Sequence, residues 1–167
     1  DSVPPVVLAA EKDKAGNVQY RYLPFRPVVF GGDDVTFICD GRIGIALAMI
    51  YAEAFAAETE KRLGSGNEIP ACSGIAIVRT HYPFARAYQL AEQLIRSAKN
   101  YKQEIRQLYP DWNGTCIDWH SAMSGVSGRL EEIRMREYIV AQGILCLRPL
   151  ALSENPKHRH RSWQAID

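Results

Sequence analysis

The sequence has no hydrophobic run long enough to form a membrane-spanning helix. Its longest nearly uncharged stretch covers residues 43 to 52, about half of the roughly 20 residues that cross a bilayer. No signal-peptide pattern opens the chain, and we find no internal repeat or low-complexity segment. We therefore expect a globular protein without a membrane partner.

An excess of charge of one sign is also missing. The chain has 20 Lys and Arg residues against 19 Asp and Glu residues, so its net charge does not attract a particular class of partner. Any attraction of anions must come from a local cluster of basic residues. Nucleic acid is left open as a partner, but the composition does not support it.

The four cysteines lack the spacing of a zinc site or of a disulfide framework. They are far apart and lie mostly inside apolar runs, where cysteine behaves as a small buried hydrophobe. They are Cys39, Cys72, Cys116 and Cys146. This use of cysteine favours a reducing, cytoplasmic setting.

The length of 167 residues and the hydrophobic content of 47% suffice for one domain with its own core. We expect this domain to cover residues 1 to 152, and residues 153 to 167 to form a polar, basic and loosely packed tail. The chain begins at Asp1 without a methionine and runs straight into SVPPVVLAA. This beginning favours a fragment that lacks its N-terminal part.

The pattern of apolar and turn residues predicts two hairpins, followed by alternating helices and strands. The hairpins turn at KDKAGN and at the two glycines of VVFGGDDVTF. The next segment predicts a helix with a buried apolar stripe, made of Ile43, Leu47, Ile50 and Ala54.

Further along, a second helix is expected to begin at Pro83 and to end before Pro110. Strands are predicted within residues 71 to 78 and 115 to 123, and a third helix within residues 127 to 137. Two short strands are expected to turn near Gly143. This order predicts an α+β fold, with helices packed on one face of an antiparallel sheet.

Two adjacent carboxylates, Asp33 and Asp34, directly follow the glycines Gly31 and Gly32 in the second hairpin. Two unpaired carboxylates held close together repel each other unless a cation lies between them, and Mg²⁺ prefers such oxygen ligands. The glycines would let a phosphate approach the backbone. The alternative is an ordinary hairpin turn, because Gly and Asp are common turn residues.

A basic stripe is expected on the second helix. Arg96, Lys99, Lys102 and Arg106 follow one another at spacings of three or four residues, so they share one flank of the helix. Such a flank could hold the phosphates of a nucleotide. The alternative is a solvated face whose long side chains cover the edge of the core.

Other polar residues are weaker candidates. Asp118 and His120 lie on the same side of their strand, and we expect them to be a hydrogen-bonded structural pair outside the functional site. His158 and His160 belong to the basic tail, where they could contact nucleic acid or a metal. A charged terminus explains them more simply.

Three segments in order, VVFGGDDVTFICDG, ACSGIAIV and YPFARAYQLAEQLIRSAK, carry a resemblance to a known family. This part of the chain resembles the palm domain in the large subunit of type III CRISPR effector complexes. More distantly, it is similar to GGDEF diguanylate cyclases. The resemblance covers roughly residues 27 to 123 and implies a ferredoxin-like palm.

The resemblance also implies a function, the Mg²⁺-dependent transfer or cyclisation of nucleoside triphosphates. ATP is the favoured substrate, and in the CRISPR branch the product is a cyclic nucleotide signal in antiviral defence. Asp33 and Asp34 would be the catalytic metal ligands for Mg²⁺ or Mn²⁺, and Gly31 and Gly32 the phosphate-side turn. Lys99 would hold the triphosphate; Lys102, one turn further along the same basic flank, is a second nucleotide-binding candidate that we expect to face solvent more than Lys99.

Departures from the family limit what this chain is expected to do alone. The family supplies a further metal-binding Asp from a strand before the hairpin, and only a hairpin precedes GGDD here. We therefore expect the isolated chain to be inactive and the missing part, or other subunits, to complete the site. The alternative is a catalytically inactive palm that senses nucleotides or serves as a scaffold.

Overall fold

A computed structural model describes residues 11–12, 14–16, 18–19, 25–31, 34–122 and 128–165. The chain divides into two compact units, Asp1–Asp40 and Gly41–Asp167. Each unit is described by itself below. The expected single domain over residues 1 to 152 stays a prediction.

The first unit contains two antiparallel hairpins, as the sequence predicted. Strands β1 (Glu11–Lys12) and β2 (Val18–Gln19) form the first hairpin. The second joins β3 (Phe25–Gly31) to β4 (Asp34–Cys39). Its register shifts between Pro27 and Val29, because proline has no N–H for the ladder and is tolerated at a bulge.

The second unit mixes helices and short strands, which confirms the α+β class. None of the helices in the described part of the chain is both long and apolar enough to cross a membrane. Its elements in chain order are α1 (Gly44–Leu63), β5 (Ser73–Val78), α2 (Phe84–Leu108), β6 (Cys116–Ala122), α3 (Leu130–Tyr138), β7 (Ile139–Val140), β8 (Gly143–Ile144) and β9 (Leu150–Ala151).

The main sheet of this unit has the strand order β5-β6-β9 and is mixed. Strands β5 and β6 are parallel, whereas β9 is antiparallel to β6. The expectation of an antiparallel sheet is therefore wrong for its central pair. The physical reason is the long helix α2, which carries the chain back so that β6 runs in the same direction as β5.

Helices cover both faces of β5, and not one face as the sequence analysis expected. On one face α2 crosses very closely, because a Cβ at Gly74 would lie 2.5 Å from the Ala91 carbonyl oxygen and 2.9 Å from the Ile95 Cα. Ile77 points to the opposite face, where its Cγ2 lies 3.2 Å from the Cβ position of Gly41, just before α1. All six β5 residues are partly buried, so the strand needs cover on both sides.

The core of the second unit is built along α2. One cluster of buried residues consists of Ala98, Tyr101, Ile105, Cys116 and Ala151. The other consists of Leu90, Leu94, Ala122 and Leu130. Both clusters join α2 to β6, so the position of the helix on the sheet is fixed over nearly its whole length.

The described part of the C-terminal tail, residues 153 to 165, packs against the rest of the second unit. This corrects the expectation of a loose segment. Asn155 is only 1% exposed, and its side-chain amide donates to the Tyr101 hydroxyl at 2.6 Å. The Arg161 guanidinium lies 3.8 Å from the centre of the Tyr101 ring. A buried amide with a hydrogen-bond partner and a stacked cation hold the tail in place.

Candidate functional site

The predicted acidic turn lies at the end of the β3–β4 hairpin. Gly31 ends β3, Asp34 begins β4, and the two residues pair across the hairpin. Both are exposed. Gly32 and Asp33 lie outside the described residues. The structure thus places Asp34 at an exposed hairpin end, and the metal-binding role of the aspartate pair stays a prediction.

The backbone at Gly31 is open to a ligand. Apart from its chain neighbours, a Cβ built there would meet no atom of the described residues within 4 Å. This space is compatible with the predicted approach of a phosphate to the backbone.

Only one of the two carboxylates that are predicted to bind Mg²⁺ belongs to the described residues. Asp34 offers the hard carboxylate oxygens that Mg²⁺ prefers. Within residues 34–122, 128–165 and the shorter described segments, no three His, Cys, Asp or Glu side chains form a group that could hold a metal ion. The expected second ligand, Asp33, is outside these residues. The Mg²⁺ site therefore stays a prediction that depends on both aspartates.

The predicted basic flank of α2 borders a shallow groove, which we call the basic groove. Three of the four predicted cations contribute to it, which supports their common position on the helix. Arg96, the fourth, is exposed on the same helix and does not line the groove. The groove has a volume of about 440 Å³ and is lined by Lys99, Lys102, Gln103, Arg106, Gln107 and Pro110.

Within the described part of the chain, no carboxylate compensates the charge of the basic groove. No acidic side chain lines it, and no described residue forms a salt bridge with its three cations. Glu104, on the same helix, instead contacts the Lys157 ammonium at 3.3 Å. A concave surface that carries three positive charges attracts anions.

The two lysines of the groove lie in different environments. Lys99 is exposed, whereas Lys102 is half-buried. Burial lowers the pKa of Lys102, the nearby sulfurs of Cys72 and Cys116 act in the opposite direction, and Arg106 adds to the lowering. The sequence analysis expected Lys102 to face solvent more than Lys99, and this expectation is wrong.

Asp118 is a buried structural residue, as expected, but the predicted hydrogen-bonded pair with His120 is wrong, and the actual partner is one that the sequence analysis missed. Its side chain is fully buried, and Arg134 Nη2 of α3 donates to Asp118 Oδ1 at 2.5 Å. Arg134 Nη1 also donates to Ser97 Oγ at 3.3 Å. The pair therefore ties β6 to α2 and α3. Asp118 and Ser97 are far from Arg134 in the sequence, so no local sequence pattern predicts these contacts.

His120 is 2% exposed, and its ring lies 6.4 Å from the Tyr138 ring in an edge-to-face arrangement. Its Nδ1 atom has no hydrogen-bond partner among the described residues. Burial lowers the pKa of His120, Glu137 opposes this, and Arg148 and Arg134 lower the pKa further. His120 is a buried core histidine, consistent with its exclusion from the site.

A second concave feature escaped the sequence analysis. A small cavity of about 200 Å³ lies near the carboxyl ends of the parallel strands β5 and β6. Its lining is Tyr82, Arg86, Gln89, Leu90, Gln93, Ala122, Gly128 and Ile133. Gln93 is already engaged, because its Oε1 accepts the Leu130 backbone N–H at 2.7 Å. No regular spacing in the sequence marks these residues as a group.

Comparisons with known proteins do not assign a family to this chain. No protein-family model matches it, and no curated protein matches it. The function proposed below consequently depends on the residues themselves and on the resemblance of their motifs.

Proposed function

We propose that this chain is the palm part of a protein that transfers or cyclises nucleoside triphosphates with Mg²⁺, and that ATP is the favoured substrate. One observation carries the proposal most directly. The motif that follows GGDD ends in a helix whose lysines line a basic groove that no described carboxylate compensates. The lysines of such a groove would bind the phosphates of a triphosphate, and the resemblance assigns the accompanying Mg²⁺ to the GGDD hairpin.

Each residue of the proposed site has a role that follows from its chemistry. Asp33 and Asp34 would hold Mg²⁺ through carboxylate oxygens, and the bound ion would neutralise charge on the phosphates. Lys99 would bind the outer phosphates through its exposed ammonium, with Lys102 supporting it from the half-buried side. Gly31 leaves its backbone accessible.

The main sheet is compatible with the addition of the further strand that the resemblance requires. Among the described strands, only β6 pairs with β5, so the other edge of β5 can accept hydrogen bonds from another strand. The β5 residues are uncharged and partly buried, and they include no proline. An edge strand without protective charges is suited to further pairing.

The proposal is tested by the thermal stability of the chain with ATP and Mg²⁺. Both together should raise the melting temperature by mass action on the folded state. The double variant Asp33→Ala/Asp34→Ala should lose this increase. Its ligand-free melting temperature should stay unchanged, because Asp34 is exposed and the sequence predicts that Asp33 is a turn residue outside the core.

A matched control keeps the same change in charge elsewhere. The variant Glu53→Ala/Glu131→Ala removes two exposed carboxylates from helices and should respond to ATP and Mg²⁺ like the parent chain. If the Asp33/Asp34 variant responds like this control, the site assignment is wrong. If ATP binds through both aspartates but the protein that contains this chain forms no product, the inactive nucleotide-sensing palm replaces the catalytic proposal.

A further inference from the structure

We infer that the basic groove binds the backbone of a single-stranded nucleic acid. This inference goes beyond the proposed nucleotide site, and it requires neither a metal ion nor nucleotidyl transfer. It depends on three features of the groove: the spacing of its cations, the types of its side chains and the absence of acidic residues from its lining.

The cations of the groove are spread along the helix axis. Lys99 and Arg106 are seven residues apart, which corresponds to roughly 10 Å at the helical rise, and Lys102 lies between them on the same flank. The phosphates of one triphosphate follow each other through single bridging oxygens and would engage the Lys99 end. A nucleic acid backbone carries one charge per nucleotide, so it can engage all three cations in succession.

The side chains that line the groove suit a phosphodiester chain. Arg106 can hold a phosphate with two parallel N–H donors, a geometry that lysine does not offer. Gln103 and Gln107 add side-chain amides, which both donate and accept hydrogen bonds. Such amides contact the phosphate oxygens and sugar hydroxyls of a nucleic acid without selecting its sequence.

The electrostatics of the groove also favour a polyanion. Three positive charges lie together on a chain whose net charge is only +1, and no carboxylate of the lining offsets them. Binding of phosphates there would release condensed counterions from the nucleic acid, which drives association. Among the described residues of the lining, only Pro110 carries no polar or charged group on its side chain.

The test measures binding of a fluorescein-labelled single-stranded RNA of about 10 nucleotides, a length within the usual site sizes. Fluorescence anisotropy is recorded in EDTA between about 50 and 200 mM KCl, where log K should fall against log salt. Three phosphate contacts predict a slope of about −2 for a single strand, and Arg106→Ala should reduce it to about −1.4.

Two further variants serve as controls for the effect of Arg106→Ala on RNA binding. Arg136→Ala removes an exposed cation from α3 and should leave both affinity and slope unchanged. Asp33→Ala/Asp34→Ala should also leave RNA binding unchanged, which separates this inference from the proposed metal site. Equal slopes for Arg106→Ala and Arg136→Ala would overturn the inference. Competition by polyglutamate at the same charge concentration as RNA would overturn it too, in favour of an acidic protein partner.

Discussion

Arg134 has a clear structural role in this chain. It compensates the fully buried carboxylate of Asp118. We predict that Arg134→Met lowers the free energy of unfolding by about 3 kcal/mol, because it leaves a buried charge unpaired. Chemical denaturation measures this loss. The double variant Asp118→Leu/Arg134→Met should recover most of it, and equal losses in the single and double variants would contradict the assignment.

A second residue-scale prediction concerns pH and His120. Burial lowers the pKa of this residue in the folded chain below its ordinary value of 6.5. As the pH falls below 6.5, His120 of the unfolded chain takes up a proton, whereas His120 of the folded chain does so only at lower pH. The proton therefore stabilises the unfolded chain, and the free energy of unfolding falls as the pH decreases. The melting temperature should drop less between pH 7.5 and 5.5 in His120→Gln than in the parent. His81→Gln, at an exposed position, should keep the full drop.

The sequence predicts the position of a side chain where a local pattern, such as helical spacing, determines it. The flank shared by Lys99, Lys102 and Arg106 follows from helical spacing, and in the structure these three residues line one groove. The difference in burial between Lys99 and Lys102 was not predictable. It depends on Cys72 and Cys116, which lie near Lys102 but far from it in sequence.

Helix α2 crosses β5 very closely at Gly74. We predict that Gly74→Ala destabilises the second unit by about 2 kcal/mol, because the new methyl group would overlap backbone atoms that cannot rotate away. Chemical denaturation followed by circular dichroism measures the change. Gly31→Ala is the matched control, since its Cβ would meet no atom of the described residues within 4 Å, apart from its chain neighbours. Equal tolerance of both substitutions would contradict the close crossing.

The elements themselves were predictable to different degrees. Helix α2 was found between its two prolines because its 25 residues keep a strong apolar period. Helix α1 was found too, but its buried face was wrong: Ile50 is 61% exposed, whereas Gly44, Ala48 and Ala52 are buried. Small residues let a helix approach a sheet closely, so the largest apolar residues did not mark the contact face.

The direction of the strands is a property of the whole molecule that the sequence pattern does not contain. Alternation and apolar runs identify β5 and β6 as strands, but their parallel pairing depends on how α2 returns the chain. The sequence pattern also does not show that helices pack on both faces of β5. Each unit shows the local structure expected of its segments, while the ferredoxin-like arrangement stays a proposal.

Also at the scale of the whole molecule, we predict that residues 1 to 167 alone transfer no appreciable nucleotide from ATP or GTP with Mg²⁺ or Mn²⁺. Two adjacent carboxylates on one hairpin are too few ligands for a two-metal site. Separation of radiolabelled products measures turnover. Robust product would mean that other residues complete the site. Asp118 is not among the candidates, because it is fully buried against Arg134.

Calorimetric titration of ATP and of AMP, each with Mg²⁺, into the parent chain and Lys99→Ala tests the central claim most directly. We predict that this substitution weakens ATP binding about tenfold, the usual effect of losing a charged hydrogen bond, and leaves AMP binding almost unchanged. Lys61→Ala, which removes an exposed lysine from the end of α1, should change neither. Equal losses for ATP and AMP, or no loss for either, would contradict triphosphate binding in the basic groove.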